Sequence, residues 1–67
     1  MFKVGDRVKV VSTKSNFDSV FGTIKEIEEH LMYKNLVEFD AIVRVYGIPY
    51  KKMVFCDDEL ELISEGS

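Results

Sequence analysis

Apolar and polar residues alternate at the start of the chain. Val4 precedes Gly5-Asp6, and Val8 and Val10 follow, with Arg7 and Lys9 in phase between them. A period of two puts the valines on one face, so the spacing predicts a half-buried strand over residues 7 to 11. Gly5 tolerates positive φ and suits the turn that feeds this strand. Residues 12 to 19 are polar. Ser12, Ser15, Asn16, Asp18 and Ser19 favour bonds to their own backbone over a ladder, which predicts a loop, and Phe17 is out of character there. A second strand is expected over residues 21 to 27, with Gly22 marking a bulge or a close approach of strands. Its isoleucines, Ile24 and Ile27, stand three apart. That spacing fits a helical turn as well, so residues 28 to 34 are open to both loop and helix.

Further along, Leu36, Val37, Phe39, Ile42, Val43 and Val45 make a long β-prone stretch. Gly47-Ile48-Pro49 predicts a turn, and apolar residues resume over 50 to 56 at Met53, Val54 and Phe55. Residues 36 to 56 then read as one hairpin, with a break at Asp40-Ala41 as the alternative. Asp57-Asp58-Glu59 predicts a single 3-10 turn, and Leu60-Glu61-Leu62-Ile63 a last short strand. The expected fold is all-β: one domain over residues 1 to 64, built from about five short antiparallel strands with a 3-10 turn before the last. Residues 65 to 67 are expected to be a flexible tail.

This order of elements resembles the SH3-like small barrel. More narrowly, residues 2 to 40 resemble its KOW and Tudor-like members, through Val4-Gly5-Asp6-Arg7-Val8-Lys9-Val10, Gly22-Thr23-Ile24 and Val37-Glu38-Phe39. The resemblance implies a module that binds RNA, DNA, protein tails or a neighbouring domain rather than a catalyst, and fold analogy does not choose among these. The chain departs from the RNA-binding KOW pattern in its first loop, where residues 12 to 19 hold one Lys and one Asp in place of a Gly-rich basic segment. It also has no Trp and only Tyr33, Tyr46 and Tyr50, too few clustered aromatics for a methyl-lysine cage.

Composition narrows the partners. Nine Lys and Arg against twelve Asp and Glu give a net charge of -3, which weakens any general attraction to nucleic acid or anionic lipid and favours a protein partner. The chain has 67 residues, 46% of them hydrophobic, and no apolar run approaches the roughly 20 residues needed to span a bilayer. Its single cysteine, Cys56, excludes an internal disulfide, so a cytoplasmic setting is expected. The size and the compact start suit a complete small bacterial or phage protein, monomeric or homodimeric. No cofactor, metal or membrane association is expected.

Residues 44 to 52 are the one place where basic and aromatic residues interleave. Arg44, Lys51 and Lys52 would meet phosphates or acidic side chains, while Tyr46 and Tyr50 offer stacking faces. The same pattern also describes an ordinary exposed hairpin tip. Phe17, with Val20 and Phe21, either caps the open end of the core or forms a docking patch. The acids at 57 to 59 and at 26, 28 and 29 read as solvated turns, since a calcium site needs six to eight converging oxygens. His30 and Cys56, each the only one of its type, lie in apolar company and read as structural. With no nucleophile triad or phosphate loop, an enzyme is not expected. The reading is a protein-interaction or regulatory module contacting partners through the 12 to 21 loop and the 44 to 52 hairpin, with nucleic-acid binding through Arg44, Lys51 and Lys52 as the rival.

Overall fold

The computed structural model of the protein describes residues 1 to 66. They form β1 (Arg7–Val10), β2 (Phe21–Ile27), β3 (Asn35–Val45), β4 (Ile48–Phe55), a 3-10 turn (Asp57–Glu59) and β5 (Leu60–Ser64). All paired strands are antiparallel, in the order β4-β3-β2-β1-β5. The fold is all-β, with the 3-10 turn placed before the last strand as the sequence predicts. Residues 28 to 34 resolve as a loop. Glu28 N donates to Lys34 O at 2.8 Å and Leu31 N to Glu28 O at 3.0 Å, which closes a turn without starting a helix.

The alternating valines reach the core as expected. Val8 and Val10 of β1 meet Ile24 of β2, Val37 and Phe39 of β3, Phe55 of β4 and Leu60 of β5. Gly22 lies in register between Val8 and Phe39. A Cβ there would stand 2.5 Å from Glu38 O and 2.6 Å from Val37 Cγ1, so glycine marks the close approach of β2 to β3. The bulge lies elsewhere in this strand. Ile24 pairs with Val37 and Glu26 with Leu36, leaving Lys25 as the extra residue. That one insertion returns Ile27 to the side of Ile24, which is why a strand carries isoleucines three apart.

The long hairpin of β3 and β4 has two registers. Residues 35 to 38 face residues 52 to 55, residues 43 to 45 face residues 48 to 50, and between the two blocks four residues, 39 to 42, lie opposite Lys51 alone. The strand does not break at Asp40-Ala41, but its register jumps there. The turn is also tighter than Gly47-Ile48-Pro49. Val45 already pairs with Ile48 and Arg44 with Pro49, so the loop is Tyr46-Gly47, both with positive φ (51° and 80°), the pattern of a two-residue type I′ hairpin. Pro49 is accommodated because β4 is an edge strand.

The chain ends meet. Asp6 is only 2% exposed, and its carboxylate accepts Lys3 N at 2.9 Å and Gly66 N at 2.8 Å. These bonds, Gly66 first and Lys3 second, hold the Asp6 carboxyl below its ordinary value. Lys3 Nζ also lies 3.1 Å from Glu65 Oε1. Of the expected tail at 65 to 67, Glu65 and Gly66 are thus bonded to the N-terminal turn, and Ser67 lies outside the described residues.

Candidate functional site

Phe17, read as a candidate docking residue, sits in the core. The loop that carries it is wound by consecutive tight turns: Ser15 N donates to Ser12 O at 3.1 Å, Asp18 N to Ser15 O at 3.3 Å and Val20 N to Phe17 O at 3.1 Å. Ser15 Oγ accepts Phe17 N at 3.0 Å, and the ring is driven inward over the sheet. It stacks on Phe39 with centroids 5.2 Å apart and meets the edges of Tyr50 and Phe55 at 5.3 and 6.1 Å. At 8% exposure it offers no docking face and instead caps the barrel-like core. Tyr50, read as a second stacking face, is half-buried against Phe17 and packs on the same core. The signal for both was an aromatic residue where a loop or an edge strand has no need of one.

What remains of the sequence-predicted site is the outer part of the hairpin. Tyr46 is 93% exposed at its tip, and Arg44, Lys51 and Lys52 are exposed along its two strands. Ile42 and Ile48, which the sequence reading left out of the site, are more than half exposed beside them. Lys3, Arg7, Lys25 and Lys34 each form an ion pair, whereas the three cations of the hairpin form none among the described residues. Lys52 faces Glu38 in register, yet Glu38 is held by Lys25 at 3.6 Å.

The base of this arm is fixed. Arg7 donates to both carboxylate oxygens of Asp40, at 2.7 and 2.6 Å, and to Thr23 Oγ1 at 2.9 Å, tying the irregular stretch of β3 to β1 and β2. Arg7 is the main reason the Asp40 carboxyl lies below its ordinary value, and the neighbouring Lys51 adds to the effect. Because both partners are well exposed, the pair contributes about 1 kcal/mol at most. Its consequence is geometric: the arm leaves the core at a defined point.

The opposite end of β3 is acidic. Asn35, only 1% exposed, donates to Phe55 O at 3.2 Å and to Asp57 Oδ1 at 2.7 Å, which docks the 3-10 turn beside the 28 to 34 loop. Asp57 therefore serves as an acceptor for Asn35, and that bond is the first cause of its lowered pKa. Lys34 bridges Glu29 at 3.5 Å and Asp57 at 3.4 Å. The single proton of the Cys56 thiol is shared between Asp58 Oδ1 at 2.8 Å and Glu59 Oε1 at 3.2 Å. The Asp58 bond, followed by burial, pushes it up to about 12, so at neutral pH it is a hydrogen-bond donor and not a thiolate. His30 is exposed in the loop. Among the described residues, no three His, Cys, Asp or Glu side chains converge as a metal site, and no helix is long and apolar enough to cross a membrane. Compared with protein-family models and with curated proteins, the chain matches none.

Proposed function

We propose that this chain is an SH3-like small barrel that acts as a protein-interaction module, with the hairpin arm over residues 42 to 52 as its docking element. The strand order β4-β3-β2-β1-β5, with a 3-10 turn leading into β5, supports the fold assignment. The observation that carries the function is Tyr46. A bulky L-residue at positive φ is strained by roughly 1–2 kcal/mol, and type I′ turns strongly prefer Asn, Asp or Gly there. The fold gains nothing from the side chain in return, since its ring is in solvent. A strained, solvated tyrosine flanked by exposed isoleucines and an unpaired arginine has the composition of a binding hot spot, and the lysines make a cationic rim. The module has no catalytic role in this reading.

The experiment is a comparison of baits of equal folding. A partner protein retained by the wild type and lost with Tyr46→Asn and with Lys51→Glu/Lys52→Glu, and whose purified form shifts amide resonances of residues 42 to 52, is the expected result. A partner retained by all three baits refutes the arm. The unpaired cations also favour one second reading, a nucleic-acid face. Single-stranded RNA that shifts residues 44 to 52 at low salt, and releases them as salt rises, would replace the protein reading with that one.

A further inference from the structure

The arm is one of two exposed apolar surfaces at the ends of β3, and their charges are opposite. β3 runs for 11 residues through a molecule 32 Å long, with the 28 to 34 loop at its start and the Tyr46-Gly47 turn at its finish. At the loop, Leu31, Met32 and Tyr33 are three consecutive large apolar residues, each more than half exposed, with Met32 at 76%. Met and Tyr are residue types enriched at protein contacts. Exposed Glu28 and Glu29 lie in the same loop and Glu26 just before it, the 3-10 turn beside the loop carries Asp58, and the one lysine of the loop, Lys34, is already held by Glu29 and Asp57. At the arm, Ile42 and Arg44 are exposed on one face, Ile48 lies opposite Val45 on the other, Tyr46 is at the tip, and Arg44, Lys51 and Lys52 are paired to no acid among the described residues.

Resting on the arm reading above, we infer that the arm's partner is a second copy of this chain: the cationic arm of one copy seats on the acidic, apolar 28 to 34 loop of the next. Symmetry makes the inference specific. Arm against arm and loop against loop each bring like charges together, so neither like-on-like contact is favoured, whereas arm against loop buries apolar residues within complementary rims. The contact is met twice in a reciprocal two-fold pair, each arm on the other copy's loop, or once per junction in an open series. Because the charged rims are exposed, salt weakens the contact.

Sedimentation velocity on the full chain tests this, from micromolar to millimolar concentration at low and then moderate salt. The wild type is expected to show a weight-average sedimentation coefficient that rises with concentration and falls with added salt. Lys51→Glu/Lys52→Glu and Glu28→Lys/Glu29→Lys are each expected to be monomeric, while amide spectra show that both remain folded. An equimolar mixture of the two charge-reversed proteins is expected to associate, because the native acidic loop of the first meets the native cationic arm of the second. Tyr46→Asn with Met32→Ser is a second complement that leaves the charges in place: each alone loses self-assembly, and the mixture forms a 1:1 dimer through the intact loop of the first and the intact arm of the second. A monomeric wild type at millimolar concentration and low salt overturns the second-copy inference and leaves the arm to its own test. Assembly that survives Lys51→Glu/Lys52→Glu but dissolves on Glu28→Lys/Glu29→Lys overturns it too, and marks failure of the arm itself.

Discussion

In β3, residues 35, 37 and 39 are buried in strict alternation, while none of residues 40 to 45 is more than partly buried. The two halves have similar β-prone composition, and what separates them is the stretch where four residues oppose Lys51. Before it, the strand lies over β2 and beneath the Phe17 ring. Beyond it, the strand is paired only with β4 and projects as an arm. Burial here follows from what the register places on top, not from hydrophobicity alone. Apolar residues in the first half are buried in the core, whereas in the second half Val43 and Val45 only pack against its margin and Ile42 is exposed.

The largest expected effect falls in the first half. Phe39→Ala removes a ring packed on Phe17 and Phe55 and should cost about 3–5 kcal/mol in urea unfolding, whereas Ile42→Ala, three residues on, should stay within about 0.5 kcal/mol. Equal costs would erase the distinction between the halves. Gly22→Ala should cost about 1–3 kcal/mol, because the new methyl meets the Glu38 carbonyl and the fully buried Val37 side chain. A pH series sharpens the contribution of the chain-end clasp. The Asp6 carboxyl is lowered in the folded state, so its stabilisation is complete above the ordinary carboxylate value of 3.8 and is lost as pH falls through the lower folded value. Asp6→Asn should therefore flatten the acid limb of the stability curve below about pH 4, with little change in slope near neutrality. The smallest effect has the opposite sign. Tyr46→Asn should raise stability by about 1 kcal/mol or less, since asparagine accepts the positive φ more readily, while removing the docking contact.

Much of this fold was legible in the sequence. The Val8 and Val10 alternation, the polar first loop, the 3-10 turn and the last strand follow from period and turn chemistry acting over a few residues. The Ile24 and Ile27 spacing left a helical turn open beside the expected strand because a single inserted residue, Lys25, mimics a change of period. The turn was read too late, at Gly47-Ile48-Pro49, because Pro49 is a strong turn signal wherever its edge-strand position is unknown. In the candidate site, the cations and Tyr46 were singled out by their interleaving, and the structure leaves them exposed. Tyr50 and Phe17 were not separable from them, since whether an aromatic faces solvent or a neighbouring ring depends on a loop closing over a distant strand. Ile42 and Ile48 looked like ordinary strand residues, and only the jump in register exposes them.

The most direct test of the account is an amide NMR dilution series on the labelled wild-type protein. It predicts concentration-dependent shifts confined to residues 42 to 52 and to the 28 to 34 loop with its adjoining 3-10 turn, reverting on dilution, while Val8, Ile24, Val37 and Phe39 stay fixed. A spectrum that does not change with concentration, or changes centred on the β5 edge, would contradict it.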